Sequence, residues 1–232
     1  MAVISITLPD EEANALVSPR ANLASDFRRG IDRRVIRCLD VVIAVFGLLF
    51  VSPLIVVVAL VLAIEGGPIL FSHRRIGLGG KTFHCLKFRS MVVDAEDRLA
   101  RLLRDDPEAR AEWQRDHKLR SDPRVTRFGQ FLRRSSVDEL PQLLNVLFGQ
   151  MSIVGPRPIV AAELPRYGRR ISSYLAVKPG ITGIWQVSGR NDVEYRTRVA
   201  MDCVFAKSIR PSLYLYLVVA TIPAVLTRRG SY

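Results

Sequence analysis

The chain has 232 residues, of which 49% are apolar, 24% charged and 8% aromatic, so intrinsically disordered and collagen-like classes are excluded. Its 34 basic and 22 acidic residues leave a net charge of +12, which predicts an acidic partner such as nucleic acid, anionic lipid or a phosphorylated substrate. Cys38, Cys85 and Cys203 are too few and too widely spaced for a disulfide scaffold or a CxxC metal site, and they are typical of a reducing compartment.

The first elements predicted along the chain are a tail and a membrane segment. Residues 1–27 are polar and aperiodic, and they predict a flexible N-terminal tail. Residues 28–67 contain a basic flank and then 24 residues without a charge, Val41 to Ile64. A straight helix of that length rises about 36 Å, which is enough to cross a hydrocarbon layer of about 30 Å. We therefore predict that this segment enters a membrane.

The midpoint and the flanks of the apolar segment bear on its course. Pro53 removes a backbone hydrogen bond at the midpoint, and the hydroxyl of Ser52 is placed to satisfy the freed carbonyl. Basic residues flank both ends, which is the cytoplasmic signature on each side. A helical hairpin broken at Pro53 would keep both flanks on one face. We therefore favour a re-entrant membrane helix, with a kinked single span as the alternative.

Residues 68–232 predict a domain on the cytoplasmic side. Strand-like alternation between Ile69 and Met91 surrounds a glycine-rich turn and indicates a small β-hairpin. Charges at helical spacing over residues 92–118 indicate two surface helices that meet near Pro107. The fold class predicted from these elements is α+β and mainly helical.

Three further helices are predicted toward the C-terminus, over residues 140–148, 160–168 and 211–226. A short amphipathic helix runs from Leu140 to Phe148 and is stopped by Gly149. The apolar run at 211–226 is too short to span a membrane and contains tyrosines, which favours an interfacial helix. A buried core helix is the alternative for that run.

The strongest candidate for chemistry is the pair Asp138 and Glu139. Pro141 is tolerated in the first turn of a helix, so it predicts that the pair lies at a helix N-terminus, where an anion or a phosphoryl group is favoured. Adjacent carboxylates beside arginines can hold Mg²⁺ and a diphosphate, and an aspartate can attack phosphorus. The spacing also fits a structural alternative, because Ser136 and Glu139 have the positions of a capping box.

Basic residues elsewhere are candidates for phosphate contacts. Arg133 precedes the acidic pair, and Arg157 stands between two prolines that fix its backbone and suit bidentate recognition of phosphate. Lys87 and Arg89 form a cationic pair after the hairpin. The structural alternatives are a rigid surface turn for Arg157 and protection of a strand edge for Lys87. The turn at 189–192 is a weaker candidate for nucleotide binding.

Six motifs occur in order along the chain. They are Ser52-Pro53, Arg75-Ile76-Gly77, Lys87-Phe88-Arg89-Ser90-Met91, Ser136-Val137-Asp138-Glu139-Leu140-Pro141-Gln142, Gly155-Pro156-Arg157-Pro158 and Lys178-Pro179-Gly180-Ile181-Thr182-Gly183. In this combination residues 30–232 resemble the bacterial sugar transferases, the monotopic polyprenyl-phosphate phosphoglycosyl transferases. The chain looks most similar to the galactosyl- or glucosyl-phosphate transferases that initiate exopolysaccharides.

The resemblance implies a catalytic domain at 68–232 and a reaction for it. Undecaprenyl phosphate and a UDP-hexose (galactose or glucose) would give undecaprenyl-diphosphate-hexose and UMP, in a ping-pong course with Mg²⁺ as cofactor. Asp138 matches the family's nucleophile and a metal ligand, and Glu139 has an acid–base or supporting role. Lys87, Arg133 and Arg157 match positions that hold phosphates or the carboxylates.

The resemblance also implies a place in the cell and a set of partners. The enzyme would lie at the cytoplasmic face of the bacterial inner membrane, in contact with lipid, at the first membrane step of exopolysaccharide synthesis. The hexose and the oligomeric state stay open, a homodimer included. From the residues alone, two other classes compete with this function: a non-catalytic basic membrane adaptor and a nucleic-acid binder. We expect no nucleic-acid partner, because aromatic residues do not interleave with the basic ones.

Overall fold

A computed structural model of the chain describes residues 19–116, 119, 122–188 and 193–226, and within these ranges it is mainly helical with two small sheets. The helices are α1 Pro19–Ile64, α2 Ala95–Asp105, α3 Pro107–Asp116, α4 Arg127–Ser135, α5 Gln142–Leu147, α6 Leu164–Tyr167, α7 Ile171–Leu175, α8 Ile184–Ser188, α9 Tyr195–Ser208 and α10 Pro211–Leu226. The strands are β1 Leu70–Ile76, β2 Thr82–Phe88, β3 Ser152–Val154 and β4 Gly180–Thr182. The predicted α+β class is confirmed. The candidate turn at 189–192 and residues 1–18 of the predicted tail lie outside the described residues, while residues 19–27 of that tail are helical and belong to α1.

Helix α1 is long and apolar enough to cross a membrane, by length and composition, and 11% of its most apolar window is buried. Its backbone stays helical through Pro53, so the predicted division into two helices is not seen and re-entry stays a prediction. The hydroxyl of Ser52 donates to the carbonyl of Leu49 at 2.8 Å. That carbonyl is the one that an N–H at position 53 would have bound in an α-helix. The predicted role of the Ser52 hydroxyl is confirmed.

Both ends of the apolar stretch in α1 form hydrogen bonds with the domain that follows this helix. On the N-terminal side, Arg37 donates to the carbonyls of Val146 and Leu147 at 2.6 and 2.8 Å, so it caps the C-terminus of α5. On the C-terminal side, Arg89 donates to the carbonyl of Leu62 at 3.1 Å. The domain that follows α1 therefore holds the helix on both sides of Pro53.

A buried carboxylate joins α1 to two other elements. Asp40 is 2% exposed, and its Oδ1 accepts hydrogen bonds from the Ser152 hydroxyl, the Ile153 N–H and the Tyr214 hydroxyl at 2.8, 2.8 and 2.9 Å. The donors come from β3 and from α10. Three donors compensate for the burial of a charge that would otherwise be costly.

The predicted hairpin is present as antiparallel strands β1 and β2, with Phe71 opposite Lys87 and Arg75 opposite Phe83. Because side chains alternate along a strand, this register puts Arg75 and Lys87 on the same face of the hairpin. Asn145 of α5 accepts from the Leu86 N–H at 2.9 Å and donates to the His84 carbonyl at 2.7 Å. Helix α5 is thereby fixed against the strand that carries Lys87.

Strands β3 and β4 form a parallel pair that approaches very closely at two glycines. A Cβ on Gly180 would lie 2.0 Å from the backbone nitrogen of Gly155, so neither position tolerates a side chain without movement. The Gly155 N–H donates to the Thr182 carbonyl, and the Gly180 N–H donates to the Pro156 carbonyl, both at 2.8 Å. These contacts hold the loop that contains Arg157 against β4.

The surface helices agree with the sequence predictions. Helices α2 and α3 meet at Pro107 as expected. In α10, Tyr214 and Leu217 are buried, whereas Tyr216 and Val219 are 67% and 64% exposed. One side of α10 is therefore part of the core, and the opposite side presents apolar groups to the surroundings, as the interfacial prediction requires.

Candidate active site

The acidic pair lies in a 3₁₀ turn, Val137–Glu139, between α4 and α5. Helix α5 begins at Gln142 directly after Pro141, so the predicted position just before a helix is confirmed. Ser136 has a positive φ of 58°, which makes it the one non-glycine residue in the left-handed region within the described residues. Its side chain makes no capping hydrogen bond, and the alternative of a capping box is wrong.

Lys87 joins the two carboxylates of this pair. Its Nζ donates to Oε1 of Glu139 at 2.5 Å and lies 3.7 Å from Oδ2 of Asp138. The Asp138 side chain is 10% exposed and that of Glu139 is 31% exposed. The pair and its lysine therefore form a compact charged cluster in which Asp138 is the most buried member.

The two carboxyl groups differ in proton affinity. Burial raises the pKa of Asp138 above its usual value, although the charge of Lys87 acts in the opposite direction. Burial would also raise the pKa of Glu139, but the charges of Lys87 and Arg157 outweigh it and the pKa lies below its usual value. Glu139 is therefore ionised at neutral pH, and the ionisation of Asp138 depends on the neighbouring cations.

Arg133 supports the pair from the last turn of α4. Its Nε donates to the Ser90 hydroxyl at 2.8 Å, and its positive charge lowers the pKa of Asp138. Helix α4 can come this close because Gly129 has no side chain: a Cβ there would lie 2.0 Å from the Ser90 carbonyl oxygen. Arg133 therefore acts on Asp138 through its charge, and its contact with phosphate or carboxylate stays a prediction.

Arg157 and Lys87 meet across a cleft next to Glu139. Polar side chains from five segments line it: Arg75, Lys87, Glu139, Gln142, Arg157 and Gln186. Arg157 is exposed and makes no hydrogen bond or ion pair within the described residues, so its guanidinium is available to a ligand. The structure places Arg157 in the same cleft as Glu139, and its binding of phosphate stays a prediction.

Three residues of the cleft were missed from the sequence. Arg75 is 16% exposed, donates to the Pro158 carbonyl at 3.2 Å and lies 3.8 Å from Glu163. Its place could have been found from the hairpin register, which puts it on the face of Lys87. Gln142 and Gln186 reach the cleft through tertiary packing, for which the sequence carries no local signal.

Arg89 does not join the cleft, and the interpretation of Lys87 and Arg89 as a cationic pair is wrong. Arg89 is 7% exposed and donates to the carbonyls of Leu62 and Pro68, at 3.1 and 2.9 Å. The chain leaves the strand after Phe88, which turns the guanidinium toward the end of α1. Arg89 therefore holds the end of α1 in place and does not face a substrate.

The donor set fits a metal ion that shares its ligands with a substrate. Within the described residues no group of three or more His, Cys, Asp or Glu side chains could form a protein cage for a metal. Mg²⁺ commonly uses one or two carboxylates and completes its octahedron with water and phosphate oxygens. Asp138 and Glu139 supply that number of carboxylates beside a cleft lined by cations.

A family model of known proteins matches most of the chain, the residues of the cleft included. Residues 31–228 match the family model described as bacterial sugar transferase. The chain belongs to the bacterial sugar transferase family. All of the predicted site residues and the anchor helix from residue 31 onward lie within the matched range.

Curated relatives within the bacterial sugar transferases are similar over most of this chain. Exopolysaccharide production protein ExoY of Sinorhizobium fredii is 49% identical over 84% of this chain and 87% of its own length. The undecaprenyl-phosphate galactose phosphotransferase of Salmonella typhimurium is 48% identical over 84% of this chain. The UDP-glucose:undecaprenyl-phosphate glucose-1-phosphate transferase of Caulobacter vibrioides is 39% identical over 92% of this chain and 75% of its own.

Some of these transferases are much longer than the matched region. The match covers 41% of the Salmonella protein and 42% of an uncharacterized sugar transferase of Haemophilus influenzae. The similarity therefore concerns a unit that contains the anchor helix and the cleft.

Proposed function

We propose that this chain transfers hexose 1-phosphate from a UDP-hexose to undecaprenyl phosphate and releases UMP, as the first membrane step of exopolysaccharide synthesis. The observation that carries the proposal is the Asp138–Glu139 pair, joined by Lys87 beside a cleft lined by guanidinium groups. The names of the Salmonella and Caulobacter relatives support the lipid acceptor and a hexose phosphate, galactose in one and glucose in the other. The name of the Sinorhizobium relative supports exopolysaccharide as the product class.

The charge at the site suits a diphosphate substrate. Arg75, Lys87, Arg133 and Arg157 bring four positive charges near Asp138 and Glu139, and Arg75 also lies 3.8 Å from Glu163. The cations outnumber these three carboxylates, which suits a substrate that carries the negative charges of a diphosphate. Guanidinium groups bind phosphate oxygens in a bidentate manner, so the exposed Arg157 is suited to hold one phosphoryl group.

The reaction proceeds through two displacements at one phosphorus atom. An Oδ of Asp138 forms a bond to the phosphorus that carries the hexose, and the bond from that phosphorus to the bridging oxygen breaks, so UMP leaves with this oxygen. An oxygen of the lipid phosphate then attacks the same phosphorus and displaces the Asp138 carboxylate. Lys87, Arg133 and Arg157 hold the phosphoryl oxygens and stabilise their charge.

Magnesium is part of this proposal. Asp138, with Glu139 beside it, would hold the ion, and the bound ion would neutralise charge on the diphosphate. The remaining work belongs to the chain: Lys87 keeps Glu139 in place, and the cationic neighbours favour the ionised form of Asp138.

The membrane arrangement that we propose is a re-entrant anchor with the cleft on the cytoplasmic face of the inner membrane. A helix that crossed the bilayer would place its two ends on opposite sides of a layer about 30 Å thick. The same domain bonds to α1 at Arg37 and at Leu62, which favours a course that leaves both ends on one side. Phe50, near the midpoint, is 87% exposed and would lie deepest in lipid.

Product analysis tests the reaction. Purified enzyme with UDP-hexose, Mg²⁺ and no lipid should release UMP and become heavier by one hexose phosphate, located on the peptide that contains Asp138. Asp138→Asn should form neither product, whereas Asp94→Asn, at an exposed acid before α2, should behave like the wild type. A panel of UDP-sugars identifies the hexose. Release of UMP only when undecaprenyl phosphate is present, without an adduct, would favour direct displacement instead.

Labelling tests the membrane arrangement. In a Cys38→Ser background, Ala100→Cys places a thiol on the exposed side of α2. An impermeant maleimide should label it in lysed cells and leave it unlabelled in intact cells. Pro53→Ala restores the missing hydrogen bond and should favour a straight span. Labelling of Ala100→Cys from outside intact cells would contradict a cytoplasmic site.

A further inference from the structure

The side chain of Gln186 has a buried oxygen without a hydrogen-bond partner. Within residues 19–116, 119, 122–188 and 193–226, its Oε1 is the one buried side-chain nitrogen or oxygen that lacks one. An unpaired buried acceptor is unfavourable, because it has lost its water and gained no donor. Such an atom in a folded protein calls for an explanation, and a ligand that completes the hydrogen bond is one.

The position of Gln186 in the cleft favours a bound ligand as the missing donor. It belongs to α8 and lines the cleft next to Glu139. Gly183 lies three residues earlier in the chain. A Cβ at that position would lie 2.8 Å from Oε1, so the absence of a side chain at Gly183 leaves space for the carboxamide. No cation of the cleft bonds this oxygen within the described residues: Lys87 donates to Glu139, Arg75 donates to Pro158, and Arg157 makes no hydrogen bond to it.

We propose that Gln186 is a substrate-contacting residue, whose Oε1 accepts a hydrogen bond from a neutral N–H or O–H group of the bound nucleotide sugar. This inference rests on the proposed function. The phosphate oxygens of a nucleotide diphosphate sugar are ionised at neutral pH and have no proton to donate. The donor is therefore the N3–H of uracil or a sugar hydroxyl, and Gln186 contributes to recognition of the substrate beyond its charge.

A substitution that removes the acceptor separates this role from a structural one. Gln186→Met keeps the length of the side chain and removes the unpaired oxygen. The ligand-free variant should unfold at the same or a higher temperature than the wild type, because no hydrogen bond is lost. Its dissociation constant for UDP-hexose should rise by about three- to tenfold, which is the worth of one neutral hydrogen bond. Gln130→Met, on the exposed side of α4, should change neither quantity.

Calorimetry with two ligands identifies the donor group. An equal loss of affinity for UMP and UDP-hexose assigns the contact to the nucleoside, whereas a loss for UDP-hexose alone assigns it to the hexose. Substrate analogues that lack one donor, 3-methyluridine or single deoxyhexose derivatives, give the same assignment on the wild type. The analogue without the contacting group should lose no further affinity in Gln186→Met.

Two results would overturn the inference while leaving the proposed function intact. One is wild-type affinity for UDP-hexose in Gln186→Met. The other is a lower unfolding temperature of the ligand-free variant, because the oxygen would then have a partner in the protein. A wild-type enzyme that binds no UDP-hexose would instead contradict the proposed function itself.

Discussion

Lys87→Met should move the acidic limb of the pH–rate profile to higher pH. The substitution keeps the length of the side chain and removes the charge that lies 3.7 Å from Oδ2 of Asp138. At an effective dielectric constant of about 20, two charges at that distance interact by about 4 kcal/mol. Because water reaches part of both side chains, we expect a shift of about one to three pH units. The sign follows from Lys87, whose charge lowers the pKa of Asp138, so its removal raises that pKa further.

The assay is the initial rate of UMP release from about pH 5 to about pH 9 at low UDP-hexose concentration, which reports on ionisation of the free enzyme. Lys87→Met should be slow at neutral pH and partly recover in alkaline buffer. Lys81→Met, an exposed lysine of the same hairpin, should keep the wild-type profile. If the rate of Lys87→Met falls by the same factor at every pH, the contact of Lys87 with phosphoryl oxygens accounts for the whole loss, and the electrostatic reasoning for Asp138 is refuted.

Substitutions at three other residues test separate parts of the structure. Arg157→Lys should lower UMP release by about tenfold or more without changing the unfolding temperature, because a point charge replaces a planar fork; near-normal turnover would leave Arg157 a structural role. Ser136→Gly should raise the free energy of unfolding by about 1 kcal/mol, because glycine adopts the left-handed conformation without strain, while Ser136→Val should lower it in denaturant titrations. Burial raises the pKa of Asp202 from 3.8 to about 7, so this carboxyl destabilises the fold progressively as pH rises from about 4 to about 7, by at most about 4 kcal/mol. Asp202→Asn keeps an acceptor for the Tyr167 hydroxyl and removes the titrating carboxyl. The free energy of unfolding of this variant should therefore fall less than that of the wild type between about pH 4 and about pH 8. An equal fall in both proteins would contradict the assignment.

Local sequence signals predicted much of the fold. The alternation between Ile69 and Met91 predicted the hairpin, Pro107 separated α2 from α3, and the helix predicted from Leu140 begins two residues later, at Gln142. The position of the acidic pair before α5 followed from Pro141, but from the residues alone a helix cap competed with catalysis, and the catalytic assignment rested on the family resemblance. These features depend on neighbours in sequence, which is why they were accessible.

Features that depend on long-range packing could not be predicted from the sequence. Arg89 stands only two residues after Lys87 in the sequence, yet it binds a carbonyl 27 residues away, while Lys87 binds a carboxylate 52 residues away. The continuous helix through Pro53 had a similar cause, since one proline removes one hydrogen bond and contacts at both ends of α1 can offset that loss. Gln186 gave no sign of its role, because an unpaired oxygen exists only once the cleft has closed around it.

The junction at Asp40 has a consequence for the height of the cleft above the lipid. A shift of α1 by one residue along its axis would move the carboxylate by about 1.5 Å and rotate it by about 100°, away from the Ser152, Ile153 and Tyr214 donors. Helix α1 can therefore pack against the domain that follows it in only one register. In the membrane arrangement that we propose, the depth of α1 among the acyl chains would set the level at which the cleft meets the headgroups. Exchanging α1 for a generic hydrophobic helix would remove this register together with the buried core residues Ile36, Ala44, Val58 and Leu62.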